Sequence, residues 1–194
     1  MMRFFHLLLL VFSFNLAQAQ LSPITQVTLE FTSTSGAVIT ASATESGNGL
    51  VVDGPINLME STDYNLAIKL SNGNTDITNE VMTNANDLQF FFQPTDGLLT
   101  GEAQYADTDS NNLPLGLSAT LTSSCVEGAN LSGNFRIWLN SLVGIKTSNS
   151  TISSGTNIFD LNWTINVAND ADANRATTLV LRCFMFSSQE IETN

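Results

Sequence analysis

The sequence predicts an all-β fold, a single immunoglobulin-like β-sandwich of about eight to nine antiparallel strands. Three observations carry this. Short runs alternate apolar with polar residues, the period-two signature of a half-buried strand. Gly, Asn, Asp and Ser clusters punctuate those runs at the spacing of strand connections. No strand-like run alternates with a long helical pattern, which excludes a doubly wound α/β fold. A jelly roll is the alternative arrangement.

The chain opens with a basic Met1-Met2-Arg3, a strongly apolar stretch over residues 4–16 and a small-x-small Ala17-Gln18-Ala19. This is the pattern of a secretory signal peptide, with cleavage expected after Ala19. The apolar stretch is shorter than the ~20 residues a spanning helix needs, and no later run is long enough. The expected organisation is a leader over 1–19, a β-sandwich over 20–168, and a C-terminal extension over 169–194 with an extra strand and a frayed tail.

Val27, Leu29 and Phe31 alternate with Thr28, Glu30 and Thr32 in a first strand. Ser35-Gly36 turns into a second over 37–44, made of small and β-branched residues. Residues 50–52 and 56–58 flank the turn Asp53-Gly54-Pro55. Tyr64, Leu66, Ile68 and Leu70 give the clearest half-buried strand, bounded by Thr62-Asp63 and Asn72-Gly73-Asn74 turn chemistry. Residues 75–86 read as a loop with a short helical turn around Asn79-Glu80-Val81-Met82. Strands follow over 88–92, with three consecutive Phe, and over 98–105. Leu117, Ala119 and Leu121 alternate in the next. Phe135, Ile137 and Leu139 face one side of another, with Arg136 and Trp138 on the opposite side. Residues 141–157 form a long polar connection. Leu161, Trp163, Ile165 and Val167 point inward from a strand over 159–167, and 177–186 reads as a last strand, apolar on both faces.

Charge narrows the function. The net charge is −12, from six Lys and Arg against eighteen Asp and Glu, and one of the six basic residues, Arg3, lies in the leader. Such a field repels phosphate backbones and anionic lipid surfaces, so nucleic acid is not expected as a partner; cations and basic protein surfaces are. The sole histidine, His6, also lies in the leader. Without it the processed chain has no imidazole for a Ser-His-Asp or Cys-His pair or for a His-based zinc site. No Gly-x-Ser-x-Gly elbow and no phosphate-cradling Gly loop is present, and the expectation is that the protein is not an enzyme. Cys125 and Cys183 are candidates for one disulfide in an oxidising compartment.

One segment looks like a site. Asp107-x-Asp109-x-Asn111-Asn112-Leu113 spaces oxygen side chains at positions one, three and five, the first half of a calcium loop, with the Leu113 carbonyl as a further ligand. The loop is incomplete: Asn112 stands where a Gly is usual and Ser118 where a bidentate Glu is usual. Glu102 is a candidate extra carboxylate. The competing reading is a polar loop that uses Asp and Asn for turns. The similar run Asn169-Asp170-Ala171-Asp172-Ala173-Asn174 reads as a solvated loop.

A set of ordered motifs adds to this. They are Val-Thr-Leu-Glu-Phe-Thr at 27–32, Asp53-Gly54-Pro55-Ile56, Thr62-x-Tyr64-x-Leu66, Asp76-Ile77-Thr78-x-Glu80 and Asp87-x-Gln89-Phe90-Phe91. Further on come Asp107-x-Asp109-x-Asn111-x-Leu113-Pro114-x-Gly116-Leu117-Ser118, Ser132-Gly133-x-Phe135-Arg136 and Asp160-Leu161-x-Trp163-Thr164-Ile165. In these the chain, over 27–167, resembles small exported β-proteins of Gram-negative bacteria that accompany TonB-dependent outer-membrane receptors. Some of those carry a type 1 periplasmic-binding-fold label, which implies two α/β lobes and which the strand pattern here does not support. The resemblance implies a transition-metal set that includes an acidic run and two His. Here Leu88 and Ser141 occupy the two His positions and the acidic run is mostly neutral, leaving Glu80 and Asp87 as a remnant and no zinc expected. The implied role is a non-enzymatic binding or accessory protein of nutrient or metal uptake, exported to the periplasm, cell surface or medium. A structural or adhesive surface module is the alternative.

Overall fold

The structure, a computed structural model, describes residues 21–124 and 130–168. The leader, Cys125 with Cys183, the 169–174 run and the expected last strand lie outside the described residues. Within them the fold is all-β: two sheets pack face to face over one hydrophobic core.

The first sheet takes β1 (Gln26–Ser33), β2 (Val38–Glu45), β3 (Leu50–Asp53), β5 (Asp63–Asn72), β6 (Thr75–Asp76), β8 (Gln104–Tyr105) and β9 (Ser118–Thr122), in the order β3-β2-β1-β5-β9-β8 with β6 paired to β5. The second takes β4 (Ile56–Met59), β7 (Leu88–Pro94), β10 (Leu131–Ser141) and β11 (Thr156–Ala168), in the order β4-β11-β10-β7. A short helix α1 (Thr78–Thr83) and a 3-10 turn (Ala85–Asp87) lead into β7.

The alternation in sequence becomes alternation in burial. Val27, Leu29 and Phe31 of β1, Tyr64 to Leu70 at every second position of β5, and Leu161 to Val167 at every second position of β11 all face the core. Phe135 meets Phe31 edge-on at 6.0 Å and lies parallel to Phe92 at 6.2 Å. Trp163 is fully buried, and its Nε1 donates to Ser42 O at 3.2 Å, so one side chain both fills the core and ties the two sheets.

Three expectations need correction. The described residues hold eleven strands rather than eight or nine, because β3, β4, β6 and β8 are very short pieces. Not all pairing is antiparallel: β4 runs parallel to β11, from Ile165↔Ile56 to Ala168↔Met59. The chain reaches β4 from β3 by switching sheets at Gly54, whose φ of 59° only Gly adopts freely. Finally, residues 98–105 do not make one strand. The chain bends at Leu98 and Thr100, Leu99 makes only a single bridge to Ser123, and a two-residue strand, Gln104–Tyr105, then pairs with β9.

The polar connection after β10 is also more than a linker. Leu142 within it is fully buried and forms a second small cluster with Phe91 and Trp138 on the outer face of the second sheet. Asn140 Nδ2 donates to the carbonyls of Ile152 and Ser154, at 2.9 and 3.0 Å, and so pins the connection's far end.

Candidate functional site

The acidic loop closes one side of the sandwich. Phe90 N, on the edge strand β7, donates to Leu115 O at 2.7 Å, and Tyr105 Oη donates to Phe90 O at 2.9 Å. The loop thus covers an edge that would otherwise expose unpaired backbone groups. The approach is tight. Gly116 sits at φ 90°, and a Cβ there would lie 2.8 Å from Phe90 Cβ and 2.9 Å from Tyr105 Cε1.

Each predicted ligand can be placed. Asp107 Oδ1 accepts from Gly116 N at 2.7 Å, and its Oδ2 from Ser118 N at 3.1 Å. Asp109 Oδ1 accepts from Asn111 N at 2.8 Å and Leu113 N at 2.9 Å. The Leu113 carbonyl accepts from Asp109 N at 2.8 Å. Asn111 is exposed, and its Nδ2 turns toward Asn86 Oδ1 at 3.4 Å. Asn112, with φ 60°, makes the sharp turn in the left-handed region that Asn tolerates. Glu102 is exposed outside the loop, its carbonyl accepting from Gln104 Nε2.

Asp109 Oδ2 faces a cation supplied by the chain. Lys146 Nζ lies 3.0 Å away, with the lysine side chain 2% and the aspartate side chain 0% exposed. The same ammonium donates to Ala85 O at 2.7 Å. Burial pushes the Asp109 carboxyl up, but the Leu113 N–H, the Lys146 ammonium and the Asn111 N–H outweigh it and hold the carboxyl below its ordinary value. Asp107 goes the other way: burial raises its carboxyl above the ordinary value despite the N–H groups of Gly116, Ser118 and Leu117. The four oxygens of a calcium shell are therefore not convergent. Three are engaged by backbone donors, the Asn111 amide points outward, and a lysine ammonium fills the place beside Asp109. The residues present do not fit a calcium ion without displacing Lys146. Among the described residues no group of three or more His, Cys, Asp and Glu is placed to hold a metal.

The second candidate set is divided. Leu88 and Ser141 are direct cross-strand partners in the β7–β10 pairing. Two side chains at such positions have Cβ atoms about 4.5–5.5 Å apart, so two His there would share one ligand-sized space. In this chain Leu88 is instead buried in the core cluster. The Glu80 carboxylate is spent on the fold: Oε2 accepts from Ser22 N and Oε1 from Ser22 Oγ, both at 2.9 Å. Asp87 sits where its carbonyl accepts from Leu142 N at 2.6 Å. Two residues beyond it, the Gln89 side chain is buried and its Oε1 has no hydrogen-bond partner among the described residues.

Lys146 is the residue that sequence reading missed. It stands in a polar connection far along the chain, and only its isolation in an acidic sequence marks it. No protein-family model, curated protein or solved structure matches the chain. Among the described residues no helix is long and apolar enough to cross a membrane.

Proposed function

We propose that this chain is an exported, non-enzymatic binding protein, an accessory to a TonB-dependent outer-membrane receptor, and that it meets its partner with the polar corner formed by Asn86, Ser110 and Asn111. The observation that carries this reading is how the corner is tied. Lys146 joins three separate connections: the Ala85–Asp87 turn, the 107–113 loop and the segment after β10. Outside that tie, Ser110 Oγ donates to Asn86 Oδ1 at 2.8 Å and the Asn111 amide approaches the same oxygen. Polar groups already fixed in place lose little entropy on meeting a partner. The net charge of −12 favours encounter with a cationic surface. Export rests on the leader-like start, and the receptor on the resemblance over 27–167.

Cross-linking in the native envelope followed by purification should recover a TonB-dependent receptor with the wild-type chain. The Asn86→Arg/Asn111→Arg variant should recover at least tenfold less. Absence of any receptor with the wild type sinks the accessory role; equal recovery with the variant sinks the corner as its binding face.

A further inference from the structure

The chain contains two Asn-Gly pairs, Asn48-Gly49 and Asn72-Gly73. In such a pair the asparagine is open to attack by its own backbone. The amide nitrogen of the next residue can approach the side-chain carbonyl carbon, Cγ, and glycine puts no Cβ in its way. Both pairs serve turns between strands, where Asn and Gly are favoured. The structure surrounds them differently.

Asn72 ends β5 and is paired with Thr75 of β6 across the turn. That pairing holds its backbone extended, which turns the following nitrogen away from Cγ. The nitrogen is also engaged: Gly73 N donates to Thr25 Oγ1 at 2.7 Å. Thr25 Oγ1 in turn donates to Ser71 O at 3.1 Å, so the acceptor is itself held in place.

Nothing comparable holds Asn48. It stands in the loop Ser46-Gly47-Asn48-Gly49 between β2 and β3, beyond the closing pair Glu45↔Leu50. Every residue of that loop is exposed. Ser46 N donates to Gly49 O at 3.0 Å and closes the loop. Among the described residues neither Gly49 N nor the Asn48 side chain has a hydrogen-bond partner. Gly47 and Gly49 flank Asn48 at φ 79° and 115°, and a Cβ at either would meet nothing within 4 Å. Few contacts therefore resist rotation of Asn48 toward Gly49 N.

We propose that Asn48 is a site of spontaneous deamidation and that the fold protects Asn72 from the same reaction. Gly49 N, on losing its proton to solvent base, attacks Asn48 Cγ. The new N–C bond closes a five-membered succinimide, and the side-chain nitrogen takes up a proton and leaves as ammonia. Water then adds to one of the two ring carbonyls and a ring C–N bond breaks. Breakage at Cγ leaves aspartate. Breakage at the main-chain carbonyl carbon leaves isoaspartate, whose backbone is longer by one methylene. Nothing is oxidised or reduced. Either product puts a carboxylate beside Gly49, which lines a cleft of about 450 Å³ together with Glu45, Leu50 and Asp160. No basic residue lines that cleft, so the reaction makes its rim more acidic.

Incubation of the purified chain in mildly alkaline buffer, followed by proteolysis and mass spectrometry, tests this. Replacement of NH2 by OH adds one mass unit. The peptide carrying Asn48 should gain it at least tenfold faster than the peptide carrying Asn72, and faster still as pH rises. Its product should include isoaspartate, detected with isoaspartyl methyltransferase. In urea the two sites should react at similar rates, because the unfolded chain treats both pairs alike. Asn48→Gln should abolish the early gain, since the larger ring closes more slowly. Equal rates at the two sites in the folded chain, or a product free of isoaspartate, would overturn the proposal. So would a tenfold difference that persists in urea, which would come from sequence and not from the fold.

Discussion

Asp107 and Asp109 stand two residues apart in one loop, yet their surroundings push their carboxyls in opposite directions. Asp109 meets an ammonium and two N–H groups; Asp107 meets only N–H groups, which do not offset its burial. The depressed Asp109 carboxyl contributes stability that is full above about pH 4, the ordinary Asp value, and fades as pH falls through its folded value. The raised Asp107 carboxyl has the reverse sign: it favours the folded state most below that ordinary value, and this fades as pH rises through its folded value. Urea midpoints between about pH 5 and pH 3 should therefore fall less for Asp109→Asn than for the wild type. Equal acid sensitivity would remove Asp109 from the account. At neutral pH, Lys146→Met leaves a buried carboxylate without its cation and should cost about 3–5 kcal/mol. Adding Asp109→Asn should recover part of that loss, and strictly additive losses in urea unfolding would show that the two are not coupled. The Asp and Asn spacing was legible as turn chemistry, and the turn is there. Lys146 as the cation was not, because spacing along a chain carries no information about which distant ammonium folds onto it.

The acidic loop behaves as one element with its clasp on β7. A calcium ion would have to evict Lys146 and reclaim oxygens from backbone donors. Melting in chelator and in excess calcium should coincide. A gain of about 2.7 kcal/mol at 100-fold over a dissociation constant would mean that metal displaces the lysine. The connection after β10 is the other element that the sequence undersold. Its polar composition reads as a loop, which it is, but Leu142 inside it buries against Phe91 and Trp138. Asn140 holds it through three side-chain hydrogen bonds, to Ile152 O, Ser154 O and Asn157 Nδ2. Asn140→Ala should cost about 1–3 kcal/mol and shift Trp138 emission to the red before global unfolding. An unshifted spectrum would mean that the connection stays in place without Asn140. The missed bends at Leu98 and Thr100 have a similar origin: Leu98 and Leu99 are both apolar, and propensity alone cannot tell a strand from a chain folding back to bury neighbours.

Across the whole molecule, the sheets are held by a core that residues far apart in sequence build together. Trp163 of β11 reaches Ser42 of β2, while Phe31, Phe92 and Phe135 join strands of both sheets. Trp163→Phe removes the one hydrogen bond Trp163 makes across the sandwich and leaves a void. It should cost about 2–4 kcal/mol in urea unfolding; a loss under about 0.5 kcal/mol would mean the core closes over the gap.

By itself the sequence determined the β class, the inward faces of β1, β5 and β11, the turns at Gly54 and Asn112, and the absence of imidazole outside the leader-like start. These are local properties: period-two alternation, backbone preference and composition need no partner to be read. Only the tertiary structure decided that β4 lies parallel to β11, that Leu88 faces Ser141, that Glu80 holds Ser22 and that Lys146 fills the place beside Asp109. Each is a pairing between distant residues, and pairings are chosen by the packing of the whole core rather than by anything written near either partner.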